Sequence, residues 1–505
     1  VYYNLKDYEK SLQYAEVGIA LLDTIQNQTE SAFDALRTWF DKPMAVLLQQ
    51  KSVYQLQADK SVEFLKQIYQ TLQKVVSIVD KRKELLTTHE DQQMLLVRYQ
   101  ELTAFIKKIQ LELYNATGDI DYIDGLLELQ EDLLYIKLRN QLNLVANVSN
   151  YNLPAEVLNR EKHLKMSMQN LADNDGSISG YLDAMNQWQD FLDSIKIVFP
   201  DYFKLRYIGY GSDSLDYNPS TQTVRYAFVD SGLLAVVITK HTKKVYQLNF
   251  NPDLIKRIPE VWNDPQSIGK LTFELYQQLW EPFDSLLTDP AVMIVPDGQL
   301  FNLSFEMLTP EPITQFNDFT RNSLLAKYNL SYHYSLWLAQ NYSSIDIQSS
   351  YAGFVPGFTD QMKKDYINMV ADTFDIDKAY LQLLPQPFTV NLVQKISKEL
   401  HGKYYFYEES TATTFKEKAS GNKIIQIGTH AQSNNISPAY SRLIFAKNGN
   451  VSDEDNSVYA YEIYNTNMTS NLTLLTACET GSPAYQPGEG MISLAHAFQY
   501  AGSES

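Results

Sequence analysis

One thiol and one imidazole stand at matching positions in this chain. Cys478, the only cysteine in 505 residues, sits in Leu474-Leu475-Thr476-Ala477-Cys478-Glu479-Thr480-Gly481. His430 sits in Ile424-Ile425-Gln426-Ile427-Gly428-Thr429-His430-Ala431. Each apolar, β-prone run reads as a buried strand that delivers one reactive side chain at its end. A thiol becomes a nucleophile when a base holds or takes its proton, and acyl transfer also needs donors for the developing oxyanion. In open α/β sheets the loops beyond the carboxyl ends of strands converge into such sites. The pair therefore points to a cysteine nucleophile and its partner base. A solitary buried cysteine is otherwise inert packing, so the pairing carries the reading.

Other chemistries fit less well. A zinc centre lacks companion ligands around a single cysteine. The chain has no Gly-x-Ser-x-Gly nucleophile elbow and no Walker phosphate loop. His89, His163, His241, His333, His401 and His496 have no cysteine partner motif and read as structural. The formal charge of −18 argues against phosphate-backbone binding as the main activity. Asp453-Glu454-Asp455 reads as a solvated loop. One cysteine cannot form an intramolecular disulfide, which favours a reducing, cytoplasmic setting. No run approaches ~18 uninterrupted apolar residues, so no membrane span is expected.

Several elements must position the two residues. At 505 residues the chain exceeds one ordinary core, and 44% hydrophobic with 20% charged residues describes a globular protein. Residues 1 to about 200 read as helical, with apolar positions recurring at three and four, as in Leu126, Leu127, Leu129, Leu133, Leu134 and Ile136. Leu153 to Leu171 is a further helical stretch, Asp173 to Ser177 a loop, and Tyr181 to Val198 a last helix ending before Pro200. From about Tyr217 the period changes. Thr223–Val229, Leu233–Thr239 and Lys244–Phe250 read as an antiparallel meander. Helices are expected over Leu271–Leu287, Val390–Leu400 and Gly490–Tyr500, and strands over Ala291–Val295, Tyr351–Val355, Ile424–Gly428 and Leu472–Thr476. That alternation predicts a mostly parallel sheet with helices on both faces.

Tyr2 to Tyr14 resembles the centre of a tetratricopeptide repeat, with Lys6 where the turn glycine usually stands and Ser11 as the small packing residue. Leu113 to Tyr122 echoes it around Gly118-Asp119. Such arrays stack to bury their faces and leave a concave surface for partners.

The second half resembles the CHAT family of caspase-like cysteine peptidases, in the caspase and separase clan. Met293-Ile294-Val295-Pro296-Asp297-Gly298-Gln299-Leu300 and Leu303-Ser304-Phe305-Glu306-Met307-Leu308 are similar to its "PDG-x-L…P-F-E-x-L" block, with Ser304 for the usual proline. Leu324 to Ser335, Gly428-Thr429-His430-Ala431, Thr476 to Gly481 and Gly488-Glu489-Gly490-Met491…Ala497-Phe498…Ala501-Gly502 follow in the family's order, so the likeness runs from about Tyr217 to the end. His430 precedes Cys478 by 48 residues (478 − 430), against about 50 in caspases. The resemblance implies that Cys478 is the nucleophile and His430 the acid–base residue. It implies an oxyanion hole of backbone N–H groups at Cys478 and Ala431, and no third, aspartate member. Gly481 and Gly488 are candidate substrate-loop residues. Glu479 is either structural or pocket-lining. No cofactor and no metal are implied.

The expected architecture is α followed by α/β: a repeat-like helical domain over 1–150, a helical connector over 151–216 and a caspase-like domain over 217–505. Both ends are expected to be cut from a longer chain, since the sequence opens inside a repeat and the family continues with a further strand and helix. The expected function is a cysteine endopeptidase that cleaves a protein substrate. A protein regulator or substrate docks on the helical array, and neither nucleic acid nor membrane is a direct partner. A non-catalytic caspase-like adaptor is the competing reading, and a cysteine acyltransferase or other hydrolase would share the nucleophile.

Overall fold

Long amphipathic helices open the chain, as the three-and-four spacing predicts. The computed structural model describes residues 1–29, 32–85, 94–95, 97–132, 156–157, 159–161, 163–164, 166–167, 178–199, 221–230, 232–336, 350–370, 376–434, 438–447, 456–464, 466, 468, 470–477, 484–486, 490–501 and 503. Its first helices are α1 (Tyr8–Gln28), α2 (Ala32–Leu56), α3 (Val62–Leu85), α4 (Gln100–Thr117), α5 (Asp121–Asp132) and α6 (Ile178–Val198). The loop expected at Asp173 to Ser177 lies outside the described residues. Asp7 caps α1, its carboxylate accepting from the Lys10 N–H at 3.2 Å. Before it, Lys6 takes φ +62°, a left-handed turn position in which a side chain is strained. Ser11 is buried at the crossing with α2, where the Ser52 hydroxyl donates to its oxygen at 2.9 Å. Gly118, at φ +71°, ends α4 and lets the chain turn into α5. The inner faces of α3 and α4 share one apolar cluster containing Leu72, Ile106, Ile109 and Leu113.

The meander forms as read: β1 (Gln222–Val229), β2 (Gly232–Ile238) and β3 (Lys243–Leu248) pair antiparallel. It does not stand alone. β1 also pairs parallel with β4 (Ala291–Val295), and β4 with β5 (Asn329–Tyr332), giving a five-stranded mixed sheet in the order β3-β2-β1-β4-β5. Alternate residues build two cores. Val224, Tyr226, Ala235 and Ile294 face α7 (Asp253–Val261) and α8 (Pro265–Leu279). Ala227, Val229, Leu234, Val236 and Val295 face Ile123, Leu126 and Leu127 of α5. The single helix expected over Leu271–Leu287 is broken. α8 ends at Leu279, Trp280 leaves helical geometry (φ −130°), and a separate turn runs Glu281–Asp284. Pro282 explains the break, because its ring and missing N–H oppose continuation from the preceding turn.

The second sheet is wholly parallel, in the order β12-β8-β6-β7: β6 (Tyr351–Val355), β7 (Lys403–Phe406), β8 (Ile424–Ile427) and β12 (Leu472–Leu475). Ala352, Phe354, Ile425 and Ile427 face α12 (Ala412–Lys418), α13 (Ala460–Tyr464) and α14 (Leu494–Tyr500). Tyr351, Val355 and Ile424 face Val390 and Val393 of α11 (Pro387–Glu399) on the other side. The predicted parallel sheet with helices on both faces is therefore present. A small antiparallel sheet, β9 (His430–Gln432), β10 (Arg442–Ile444) and β11 (Ser457–Tyr459), follows β8. Two short helices, α9 (Asp360–Met369) and α10 (Lys378–Gln382), precede α11. The helix expected from Gly490 begins later. Gly490–Ile492 is strand β14, paired with β13 (Ala484–Gln486), and Ser493 caps α14 by accepting from the His496 N–H at 3.2 Å.

By contact the chain divides into two compact units, one of Val1–Lys137 with Tyr151–Gln340 and the other of Leu138–Asn150 with Asn341–Ser505. The first holds the helices and the mixed sheet, the second the parallel sheet. Among the described residues no helix is long and apolar enough to cross a membrane.

Candidate active site

β8 and β12 are adjacent and parallel, with Ile427 directly opposite Leu475. Their carboxyl ends are fastened together. Thr476 donates its backbone N–H to the Ile427 carbonyl at 2.9 Å and its hydroxyl to the same oxygen at 3.2 Å. Gly428 donates to the Phe354 carbonyl at 2.9 Å, which ties the end of β6 into the same edge. A side chain at Gly428 has no room: a Cβ there would lie 2.0 Å from Thr389 Cγ2. His430 lies three residues beyond Ile427, and Cys478 lies three residues along the sequence from Leu475. Cys478, Glu479, Gly481 and Gly488 lie outside the described residues, so of the expected site only His430 and Ala431 have a described setting.

That setting is specific. His430 begins β9, half-buried, with Ile444 directly across on β10. Its Nε2 lies 2.8 Å from the Leu384 carbonyl oxygen. A carbonyl can only accept, so this contact requires the proton on Nε2 and leaves the Nδ1 lone pair as the basic position in the neutral ring. The imidazole packs against Phe358, with ring centroids 5.1 Å apart and the ring planes tilted by 48°. Phe358 is fully buried and holds φ +47°, directly after Gly357 at φ +72°. Left-handed backbone at a bulky residue costs on the order of 1–2 kcal/mol, and such strain is retained where the surroundings over-determine a functional position. The loop carrying Leu384 is itself held: Gln386 takes the Gly357 carbonyl with its backbone N–H (3.0 Å) and the Thr429 carbonyl with its side-chain amide (3.2 Å). The Thr429 hydroxyl donates to the Ile444 carbonyl. Ala431 is built into β9 opposite Leu443 and is buried. Loops following β6 and β8 thus cooperate to fix one imidazole at the strand edge shared with β12.

The CHAT domain family matches residues 270–505. The chain carries a CHAT domain. This is a caspase-like family, in keeping with the parallel sheet and with the order of the His430 and Cys478 motifs. No curated protein matches the chain.

Within the CHAT domain, the Pro296-Asp297-Gly298 block serves the mixed sheet. The Asp297 carboxylate accepts the Phe228 N–H at 2.7 Å, and Gly298, at φ +49°, has the Phe228 ring 3.2 Å from where a Cβ would stand. Ser304, in the usual proline position, donates to Glu306 at 2.7 Å, and the Phe305 N–H donates to the Tyr332 hydroxyl at 2.9 Å. These residues lock β1, β4 and β5 together. Sequence reasoning missed Leu384, Gln386 and Phe358. No motif marks them, but the rule that sites gather beyond strand carboxyl ends would have pointed to the segment after Val355.

Proposed function

We propose that this protein is a cysteine endopeptidase in which Cys478 is the nucleophile and His430 the acid–base residue. The observation that supports it most is the joined carboxyl edge of β8 and β12, whose following residues carry the two motifs, within a CHAT domain. With Nε2–H donated to Leu384, His430 Nδ1 takes the thiol proton. The thiolate attacks the scissile carbonyl carbon, and backbone N–H groups at Cys478 and Ala431 hold the resulting oxyanion. Nδ1–H then protonates the leaving amine as the C–N bond breaks, giving a thioester. Water, deprotonated by Nδ1, attacks the thioester and releases the carboxylate, and the sulfur takes back the proton. Positioned acid–base catalysis of this kind is worth about 10²–10⁴-fold. Glu479, Gly481 and Gly488 belong to the substrate loop in this reading. The helical array over 1–150 recruits a protein regulator or substrate, and the reaction proceeds in the cytoplasm without a cofactor.

The test is Cys478→Ala and His430→Ala in the full chain, assayed for peptide-bond cleavage, with a thiol-reactive peptide warhead as a second probe. Both variants lose turnover, and the warhead labels Cys478. Retained cleavage by Cys478→Ala sinks the mechanism. A protein that neither cleaves nor labels once its partner is bound is an adaptor instead.

A further inference from the structure

Lys447, three residues past the end of β10, closes a clasp on the segment that carries Leu384. Its ammonium pairs with Asp377 at 2.9 Å and stands over the rings of Tyr366 and Tyr380, 5.1 and 5.6 Å from their centroids. Its backbone N–H donates to the Tyr380 hydroxyl at 3.3 Å. The Lys447 and Asp377 side chains keep 21% and 36% of their surface, so water and salt screen this pair less than one on an open face. The ring quadrupoles of the two tyrosines hold the same cation. Asp377 acts twice more. Its other carboxylate oxygen accepts the Tyr380 N–H at 3.1 Å and caps α10, and its own N–H donates to the Tyr366 hydroxyl at 3.0 Å, which ties α9 to α10.

Two routes lead from this clasp to His430. Along the backbone, Leu383 ends α10 by donating its N–H to the Tyr380 carbonyl at 3.2 Å, and its own carbonyl accepts from the Lys363 ammonium of α9 at 2.5 Å. Leu384 comes next, and its carbonyl takes His430 Nε2–H. Through side chains, the Tyr380 ring meets Phe358 edge-on at 5.9 Å, and Phe358 meets the imidazole at 5.1 Å. Tyr380, Phe358 and Ile444 form one buried cluster, and Ile444 stands directly across the small sheet from His430. The carbonyl and the phenyl ring that hold the imidazole are therefore both fixed by elements that converge on Lys447.

We infer that Lys447 is a positioning residue for His430: by clasping α10 to the chain beyond β10 it keeps the Leu384 carbonyl on Nε2 and so leaves Nδ1 as the basic nitrogen. This rests on the peptidase reading only for what the imidazole then does, and the clasp is tested apart from turnover. Without the Lys447 charge, α10 and the Leu384 carbonyl are free to draw back, and the ring turns with either nitrogen exposed. Weakening one hydrogen bond of ordinary net strength raises the share of released rings about fivefold.

The experiment treats the full chain briefly with diethylpyrocarbonate, which acylates a ring nitrogen bearing a free lone pair, and reads each histidine by peptide mass spectrometry. Lys447→Met keeps the length and apolar packing of the side chain without its charge, and raises the labelling rate at His430 about fivefold. Asp377→Asn, whose amide oxygen still caps α10, does the same. Lys447→Arg returns a cation to Asp377 and to both rings, and its rate stays near that of the unaltered chain. His496, buried in α14 of the same unit, stays unlabelled throughout, which separates release of one ring from general loosening. An unchanged His430 rate in both neutral variants, a rise at His496 alongside it, or a failure of Lys447→Arg to restore the rate overturns the inference. In a chain that cleaves peptide bonds, Lys447→Met lowers kcat with KM little changed, and an unchanged kcat overturns it as well. A chain that does not cleave counts against the peptidase reading, while the labelling still decides the clasp.

Discussion

Glu131→Gln tests how the N-terminal helices are joined to the mixed sheet. Arg225 of β1 and Glu131 of α5 form an ion pair at 3.1 Å, with side chains 0% and 2% exposed. Arg225 also donates through Nη1 to the carbonyls of Tyr226 (2.6 Å), Pro296 (3.0 Å) and Val295 (3.5 Å), while its Nε has no hydrogen-bond partner among the described residues. Close by, Lys107 donates to the Phe228 carbonyl at 3.3 Å, and burial holds its ammonium below the usual lysine range. Among the described residues Glu131 supplies the carboxylate that meets Arg225, and removing it leaves a cation among carbonyl dipoles. At 3.1 Å an effective dielectric near 20 gives about 5 kcal/mol of attraction, and the substituted amide would return only about 1 kcal/mol as a neutral acceptor. The expected loss is about 3–5 kcal/mol, the range for breaking a buried pair from one side. For m near 2–3 kcal/mol/M the urea midpoint falls by about 1–2 M.

The assay is selective, because all five tryptophans, at 39, 188, 262, 280 and 337, lie within residues 1–340, so their emission follows the first unit alone. Arg225→Met takes the guanidinium away from the buried Glu131 carboxylate and is destabilising in its turn. The double change, Glu131→Leu with Arg225→Met, removes both charges and costs much less than the sum. Additive losses in that cycle, or a Glu131→Gln loss below about 1 kcal/mol, refute the reasoning.

Phe358→Ala removes the ring beneath His430 and lowers kcat by roughly 10²-fold with KM little changed, because small misplacements of a catalytic group are costly; an unchanged kcat denies the ring its supporting role. For Asp377, burial pushes the carboxyl up, but the Lys447 ammonium and the Tyr380 N–H outweigh it and hold the carboxyl below 3.8. The folded value is depressed, so its stabilisation is full above about pH 4 and is lost as pH falls through the folded value. Asp377→Asn accordingly destabilises the second unit at pH 7, and the cost shrinks as pH falls below about 4 in near-UV circular dichroism melts; a cost that does not shrink contradicts the linkage. Lys6→Gly relieves a left-handed turn position and raises the stability of the first unit by about 0.5–1 kcal/mol in the same tryptophan assay; a destabilised variant shows that the Lys6 conformation is not strained.

Local chemistry made much of this legible. Apolar periodicity marked α1 to α6, and β-branched runs marked β1, β2, β4, β6 and β8 within a residue or two, because burial of one face imposes a period that survives in the sequence. Boundaries failed where a single residue overrode the pattern: Pro282 broke the helix after Leu279, and Ser493 started α14 later than Gly490. The His430 and Cys478 motifs were visible because each follows its own strand immediately.

Sequence alone determined which side chains can do chemistry, the strands that precede them and the order of the CHAT blocks. Tertiary structure decided what surrounds them. Leu384 offers His430 only a backbone carbonyl, which no residue type can announce, and it does so from 46 residues away. Phe358 reaches the imidazole only because Gly357 and Phe358 take left-handed backbone after β6. Arg442 of β10 donates to Gln432 of β9 because strand register sets the two directly opposite. Those contacts depend on strand register and loop closure, which are set by the packing of distant segments rather than by any local pattern.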